Sequence, residues 1–208
     1  MLYAATVHPA TLAILKKVME MPAFQQFNLV GGTSLSLQIG HRISIDLDLF
    51  TFEDYDSQTM LNALETIGNV DILVDKPPFL QVKLDDVKMD FLKFPYPFVK
   101  EFKEIEGIRL VSIELIAVMK LLAIARRGVK KDFYDLYFLL EKYTLDEIVS
   151  YFEDQIKKVD MFHIIKSLTY FDDADSDANP KMLIKVSWQN VKKSISYKVN
   201  AYLLKRKF

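Results

Sequence analysis

The chain has 208 residues, 50% of them hydrophobic and 26% charged, enough apolar material for one large domain or two small ones. A formal net charge of −1 argues against any general pull toward polyanions or anionic membranes. The absence of cysteine excludes disulfides, thiolate nucleophiles and Cys-ligated zinc, and accords with a reducing compartment.

Along the chain, Leu12, Ile14, Leu15 and Val18 recur at helical spacing and predict a helix near residues 11–19. The apolar run 27–30 reads as a buried strand entering a tight turn at Gly31-Gly32, with a short helix over 34–38 closed by Gly40. Alternation predicts a strand over 43–50, and a helix over 57–67 stops at Gly68. Three strands follow at 70–74, 79–84 and 87–94, the last two separated only by Asp85-Asp86, which is hairpin spacing without the favoured glycine. Ser112 is an N-cap candidate for a helix to Arg127, ended by Gly128. Helices are also predicted over 130–143, 145–158 and 161–169, then an acidic loop over 171–180 and a basic helix over 188–205. The layout is α+β: a mixed sheet with helices over 1–111, then an all-helical domain over 112–208.

The amino terminus lacks a basic n-region and Pro9 interrupts its apolar stretch, so it does not read as a signal peptide. The longest apolar run, 115–125, is broken by Lys120 and too short to span a bilayer. A cytoplasmic protein without membrane association is expected. From Lys181 onward there is no acidic residue, which suggests either a local anionic partner or a solvated helix face.

The chemistry-bearing residues cluster early. On a strand, residues i and i+2 share a face, so Asp46 and Asp48 project together while Ile45, Leu47 and Leu49 turn toward a core. Adjacent carboxylates repel unless neutralised, and an oxygen-only ligand set favours Mg²⁺ or Mn²⁺. An edge strand carrying two solvated acids would give the same pattern. The pair Gly31-Gly32 lets backbone N–H groups approach an anion, Thr33 and Ser34 add hydroxyls, and a following helix aims its N-terminus at the same place. Asp90 is a third acid, in an otherwise apolar strand. A phosphate cradle with three carboxylates is what two-metal phosphoryl or nucleotidyl transfer requires.

This order of motifs resembles the polymerase-β-like nucleotidyltransferases. The surrounding residues are closer to the AbiEii-type abortive-infection toxins: Gly31-Gly-Thr-Ser-Leu-Ser-Leu37, Arg42-Ile-Ser-Ile-Asp-Leu-Asp-Leu-Phe50, Lys120, Arg127-Gly-Val-Lys-Lys-Asp-Phe-Tyr-Asp-Leu136, and the late Phe171-Asp-Asp-Ala-Asp segment with Pro180 and Trp188. The resemblance implies a polymerase-β-like nucleotidyltransferase fold. It also implies that Gly31, Gly32, Thr33, Ser34 and Lys120 hold a nucleoside triphosphate (NTP), that Asp46, Asp48 and Asp90 hold the metal, and that Lys120 and Asp132 are later catalytic residues. Nucleotide transfer, in some relatives to the 3′ end of tRNA, and a cognate antitoxin are implied as well. Transfer to a protein or small molecule, phosphate transfer alone, or non-catalytic NTP or nucleic-acid binding are the alternatives on the same scaffold.

Other features read as structure. Asp132 and Asp135 share a helix face and could bind metal or pair with Arg126, Arg127, Lys130 and Lys131, a basic cluster also suited to an RNA backbone. Asp173, Asp175 and Asp177 imitate a calcium loop, but Ala178 and Ile184 replace its glycine and closing glutamate. His8, His41 and His163 lack zinc spacing.

Overall fold

The computed structural model describes residues 1–94, 102–156 and 159–206. The chain divides into two compact units, Met1–Ser112 and Ile113–Phe208. In the first, Pro9 occupies the opening turn of α1 (Pro9–Glu20) and His8 accepts the Ala10 N–H, while Leu15, Val18 and Met19 are buried. After β1 (Asn28–Val30), α2 (Gly31–Ile39) starts at the glycine pair itself, earlier than expected, and ends at Gly40 with φ 73°. β2 (Leu47–Thr51) is shorter than the alternation predicts. Residues 43–46 lie outside the ladder, and Ile45 is 68% exposed where a core position was expected. This stretch is held outside the ladder: the Ser44 N–H donates to the Thr6 carbonyl at 2.9 Å, and the Thr33 hydroxyl donates to the Asp46 carbonyl and is 2.8 Å from the Ser44 hydroxyl.

Asp56 caps α3 (Ser57–Glu65) by accepting the Thr59 N–H. The strands β3 (Val70–Lys76), β4 (Phe79–Leu84) and β5 (Val87–Lys93) form a meander. Its second turn uses Asp85 and Asp86 at φ 45° and 70°, a conformation aspartate tolerates better than most residues. Asp85 also accepts the Asn69 N–H at 2.9 Å, which helps hold that turn without glycine. A second hairpin, β6 (Lys103–Ile105) and β7 (Ile108–Leu110), was not predicted; its signal is Glu106-Gly107, both at positive φ.

The seven strands run in the order β3-β4-β5-β2-β1-β7-β6. Pairs β2·β5 and β1·β7 are parallel and the rest antiparallel, so the sheet is mixed. One face is the core: Leu29, Leu47, Leu49, Leu80, Val82, Met89 and Phe91 are fully buried and cluster with residues of α1 and α3. Arg109 ties β7 to the segment before β1, donating to the carbonyls of Met19 (2.8 Å), Phe24 (2.9 Å) and Phe27 (3.1 Å). Replacing Arg109 by Met removes three hydrogen bonds and takes the donor from the Met19 and Phe27 carbonyls, while the Phe24 carbonyl keeps the Phe27 N–H at 2.9 Å. Equilibrium denaturation is expected to register a loss of about 2 kcal/mol; a loss below about 0.5 kcal/mol would mean water satisfies those carbonyls equally well.

The second unit is helical: α4 (Ile113–Arg127), α5 (Lys130–Leu140), α6 (Leu145–Gln155), α7 (Met161–Ser167), α8 (Asp172–Asp175) and α9 (Trp188–Arg206). Thr144 and Glu147 form a capping box at the start of α6. The expected end of that helix at Lys158 lies outside the described residues. α4 packs on α5, α6 and α7, and α9 packs on α5 and α6. The expected acidic loop contains α8, because its acids are committed locally. Asp175 accepts from the Trp188 indole (2.6 Å) and Lys192 (2.9 Å), while Asp177 accepts the first N–H of α5, from Lys130, at 2.9 Å. The basic helix α9 is likewise answered within its own unit: Lys192 pairs with Asp175, Lys198 with Glu141 and Lys205 with Asp146. No described helix is long and apolar enough to cross a membrane.

Candidate active site

On the sheet face away from the core, residues of four strands line up in one row. Val30 on β1 is opposite Asp48 on β2, Asp48 is opposite Asp90 on β5, and Asp90 is opposite Gln81 on β4. Residues directly opposite in a ladder share a face, so the two carboxylates stand side by side, both half-buried. Gln81 donates to Asp90 Oδ1 at 2.9 Å, and Lys88 Nζ lies 3.7 Å from Asp90 Oδ2. These contacts fix the rotamer of Asp90 from one side. Asp46, two residues before Asp48 and half-buried, is held through its main chain by Thr33. Among the described residues, no three His, Asp or Glu side chains are gathered to hold a metal unaided.

The glycine pair meets this row at its edge. Gly31 has φ 69°, and a Cβ there would overlap Asp48 Oδ2; a Cβ on Gly32 would overlap the Arg42 guanidinium. The first turn of α2 therefore lies directly against the Asp48 carboxylate on one side and a cation on the other. The N-cap residue of α2, Val30, offers no side-chain cap, and the first-turn N–H groups of a helix are suited to an anion. Thr33 and Ser34 are buried. Thr33 bonds the Asp46 segment, and the Ser34 hydroxyl accepts from Gln38 at 3.1 Å. Gly31→Ala combines an unfavourable φ with displacement of the Asp48 carboxylate. It should cost about 1–3 kcal/mol of stability in equilibrium denaturation; an unchanged midpoint would mean the Asp48 carboxylate moves aside freely.

Lys120, Asp132 and Asp135 occupy the helical unit, where they form one cluster. Lys120 Nζ lies 2.7 Å from Asp132 Oδ1 and 2.6 Å from Asp135 Oδ2, and Arg127 Nε lies 2.9 Å from Asp132 Oδ2. Both carboxylates have no exposed side-chain surface and Lys120 only 5%. Burial pushes the Asp132 carboxyl up, but the Lys120 and Arg127 cations outweigh it and hold the pKa below its ordinary 3.8. Lys130 is also committed, donating to the carbonyls of Asp175 and Asp177 and lying over the Trp188 ring. Of the basic cluster, Arg126 and Arg127 line an open cleft of about 530 Å³ with His163, Lys166 and Tyr170. Phe133 and Tyr134 pack against Trp188, and Phe171 packs against both Phe133 and Trp188.

Reading from sequence missed Gln81, Lys88 and the placement of Arg42. The first two follow from hairpin pairing once the Asp85-Asp86 turn is accepted; nothing local signals that Arg42 lies over Gly32.

A family model described as nucleotidyl transferase AbiEii toxin, type IV TA system, matches residues 13–206. An uncharacterized protein of Aquifex aeolicus (strain VF5) is 35% identical over 195 residues, covering 91% of this chain and 94% of that protein. Among solved structures, JHP933 of Helicobacter pylori superposes with a TM-score of 0.58 at 21% identity, covering 97% of this chain and 96% of that one. MenT4, a nucleotidyltransferase toxin of Mycobacterium tuberculosis H37Rv, gives 0.53 at 14% identity, with 92% and 82% covered. At these identities the structural matches speak to the fold alone.

Proposed function

Because the chain belongs to the AbiEii family of nucleotidyltransferase toxins of type IV toxin–antitoxin systems, we propose that it transfers a nucleotide from an NTP to an acceptor hydroxyl through the Asp48–Asp90 row. The observation that carries this reading is the direct register of those two carboxylates beside a helix N-terminus opened by Gly31.

In this reading the first-turn N–H groups of α2, from Gly31 to Ser34, receive the anionic end of the triphosphate. Thr33 acts by positioning Asp46. Asp48, Asp90 and Asp46 are the residues that would hold a hard divalent cation, Mg²⁺ or Mn²⁺. Their donors are all carboxylate oxygens, the set such ions prefer, and further ligands would come from phosphate and water. A cation held there supplies positive charge against the phosphate oxygens. Asp90, held by Gln81, accepts the proton of the acceptor hydroxyl; that hydroxyl's oxygen bonds the α-phosphorus as the bond from the α-phosphorus to pyrophosphate breaks. Lys120 and Asp132, which match the family's later catalytic pair, are ion-paired with each other inside the helical unit, and we read their first role there as holding α4 to α5.

The 3′ end of tRNA is the acceptor we favour. The Arg126–Lys166 cleft is suited to a phosphate backbone, which carries no sequence information. An antitoxin made beside the toxin is the expected partner. Incubating the full chain with Mg²⁺ and each labelled NTP, against separate tRNA, protein and small-molecule pools, tests the assignment. Label entering tRNA alone is the expected result. Label entering only another pool would replace the acceptor, and no label in any pool would overturn transfer.

A further inference from the structure

The acid row has an apolar neighbour. One pleat further along the same strands, Phe79, Leu92 and Phe50 stand opposite one another on β4, β5 and β2. Being two residues from Gln81, Asp90 and Asp48, they share the face of the acids and not that of the core. All three are half-buried, whereas their strand neighbours Leu80, Phe91 and Leu49 are fully buried. Phe94, two residues beyond Leu92, stacks on Phe50 with ring centroids 5.4 Å apart and planes inclined by 25°. The face thus changes within two residues from paired carboxylates to a partly open strip of rings.

Direction gives the strip a meaning. β1 and β2 are antiparallel with Val30 opposite Asp48 and Asn28 opposite Phe50, so along the strand direction Gly31 lies on one side of the acid row and the strip on the other. If the pyrophosphate end sits at the glycine turn and the reacting phosphorus at the acids, in-line displacement brings the nucleophile from the opposite side. That side is the strip. The rows are about 6.6 Å apart, two residues of strand, close to the separation of a ribose hydroxyl from the base it carries.

We propose that Phe50, Phe94, Leu92 and Phe79 seat the planar base of the acceptor's terminal nucleotide, so that the acceptor is a single-stranded nucleic-acid end read by stacking and not by hydrogen bonds. This rests on the nucleotidyl-transfer reading of Asp48 and Asp90. Stacking on aromatic side chains tolerates any base, because every base has a π-face. The strip therefore selects for an unpaired terminus and not for its identity.

The test compares two short oligoribonucleotides, one ending in an intact 3′ nucleoside and one abasic at that position, binding to the full-length protein. The parent is expected to bind the intact end about tenfold more tightly. The preference should vanish in Phe50→Ala/Phe94→Ala and return in Phe50→Trp. Because each ratio is taken within one protein, partial loss of fold cancels. Absence of the preference in the parent, or its persistence in the double alanine variant, overturns the proposal. So does a double variant that loses Mg²⁺–NTP affinity while keeping the preference, since the strip would then serve the donor base. Failure of the parent to bind Mg²⁺–NTP would instead sink the transfer reading, whatever the two oligonucleotides do.

Discussion

Asp48→Asn is expected to reduce nucleotide transfer by roughly 10³-fold while leaving the chain folded. The amide keeps the shape of the carboxylate, so the close approach of Gly31 survives. What is lost is one negative charge from the pair aligned on β2 and β5. The effect should fall on kcat and on Mg²⁺ dependence, since charge at this row matters most as pyrophosphate departs. Asp90→Asn should cost a comparable factor. The double variant should be little worse than either single one, because residues acting on the same reacting atoms are not additive. Both sites are half-buried, so thermal melts are expected within a few degrees of the parent. Retention of more than a tenth of parental turnover by Asp48→Asn, with the fold intact, would remove the row from the mechanism.

Lys120→Met is expected to destabilise the helical unit by about 3–5 kcal/mol, the usual cost of removing one partner from a buried ion pair. The ammonium is shared between Asp132 on one side and Asp135 on the other, and both carboxylates are sealed from solvent. Without it, Arg127 still lies 2.9 Å from Asp132 Oδ2 and keeps part of the pairing. Denaturant titration followed by circular dichroism measures the loss. Because the folded Asp132 pKa is depressed below 3.8, its contribution is complete above that pH and disappears as pH falls through the folded value. The triple change Lys120→Met with Asp132→Leu and Asp135→Leu should recover much of the stability. If Lys120→Met melts like the parent yet transfers no nucleotide, the residue serves chemistry and not the α4–α5 interface.

How much of this was legible in the chain differs by element. Alternation alone puts Asp48 and Asp90 each on the outward face of a strand, and the two-residue turn at Asp85-Asp86 fixes Gln81 opposite Asp90 by counting. What no local pattern reveals is that β2 and β5 pair in parallel, because the intervening chain passes through α3, β3 and β4 before returning. Ile45 misled because alternation was extended past the point where the ladder ends and Thr33 takes over. The hairpin β6–β7 went unseen because its three-residue strands give too few positions for a period. In the helical unit, the shared face of Asp132 and Asp135 follows from their spacing. That this face is interior depends on α4 covering it, and on Lys120 reaching across from that helix.

Trp188 is the chain's one tryptophan, and its ring is packed among Phe133, Tyr134 and Phe171 with Lys130 and Lys192 close to its face. Selective excitation of the indole therefore reports on this packing within the helical unit, while the sheet unit has no tryptophan of its own. The molecule carries a built-in optical label for one of its halves, so loss of order there can be followed separately, without dye or tag.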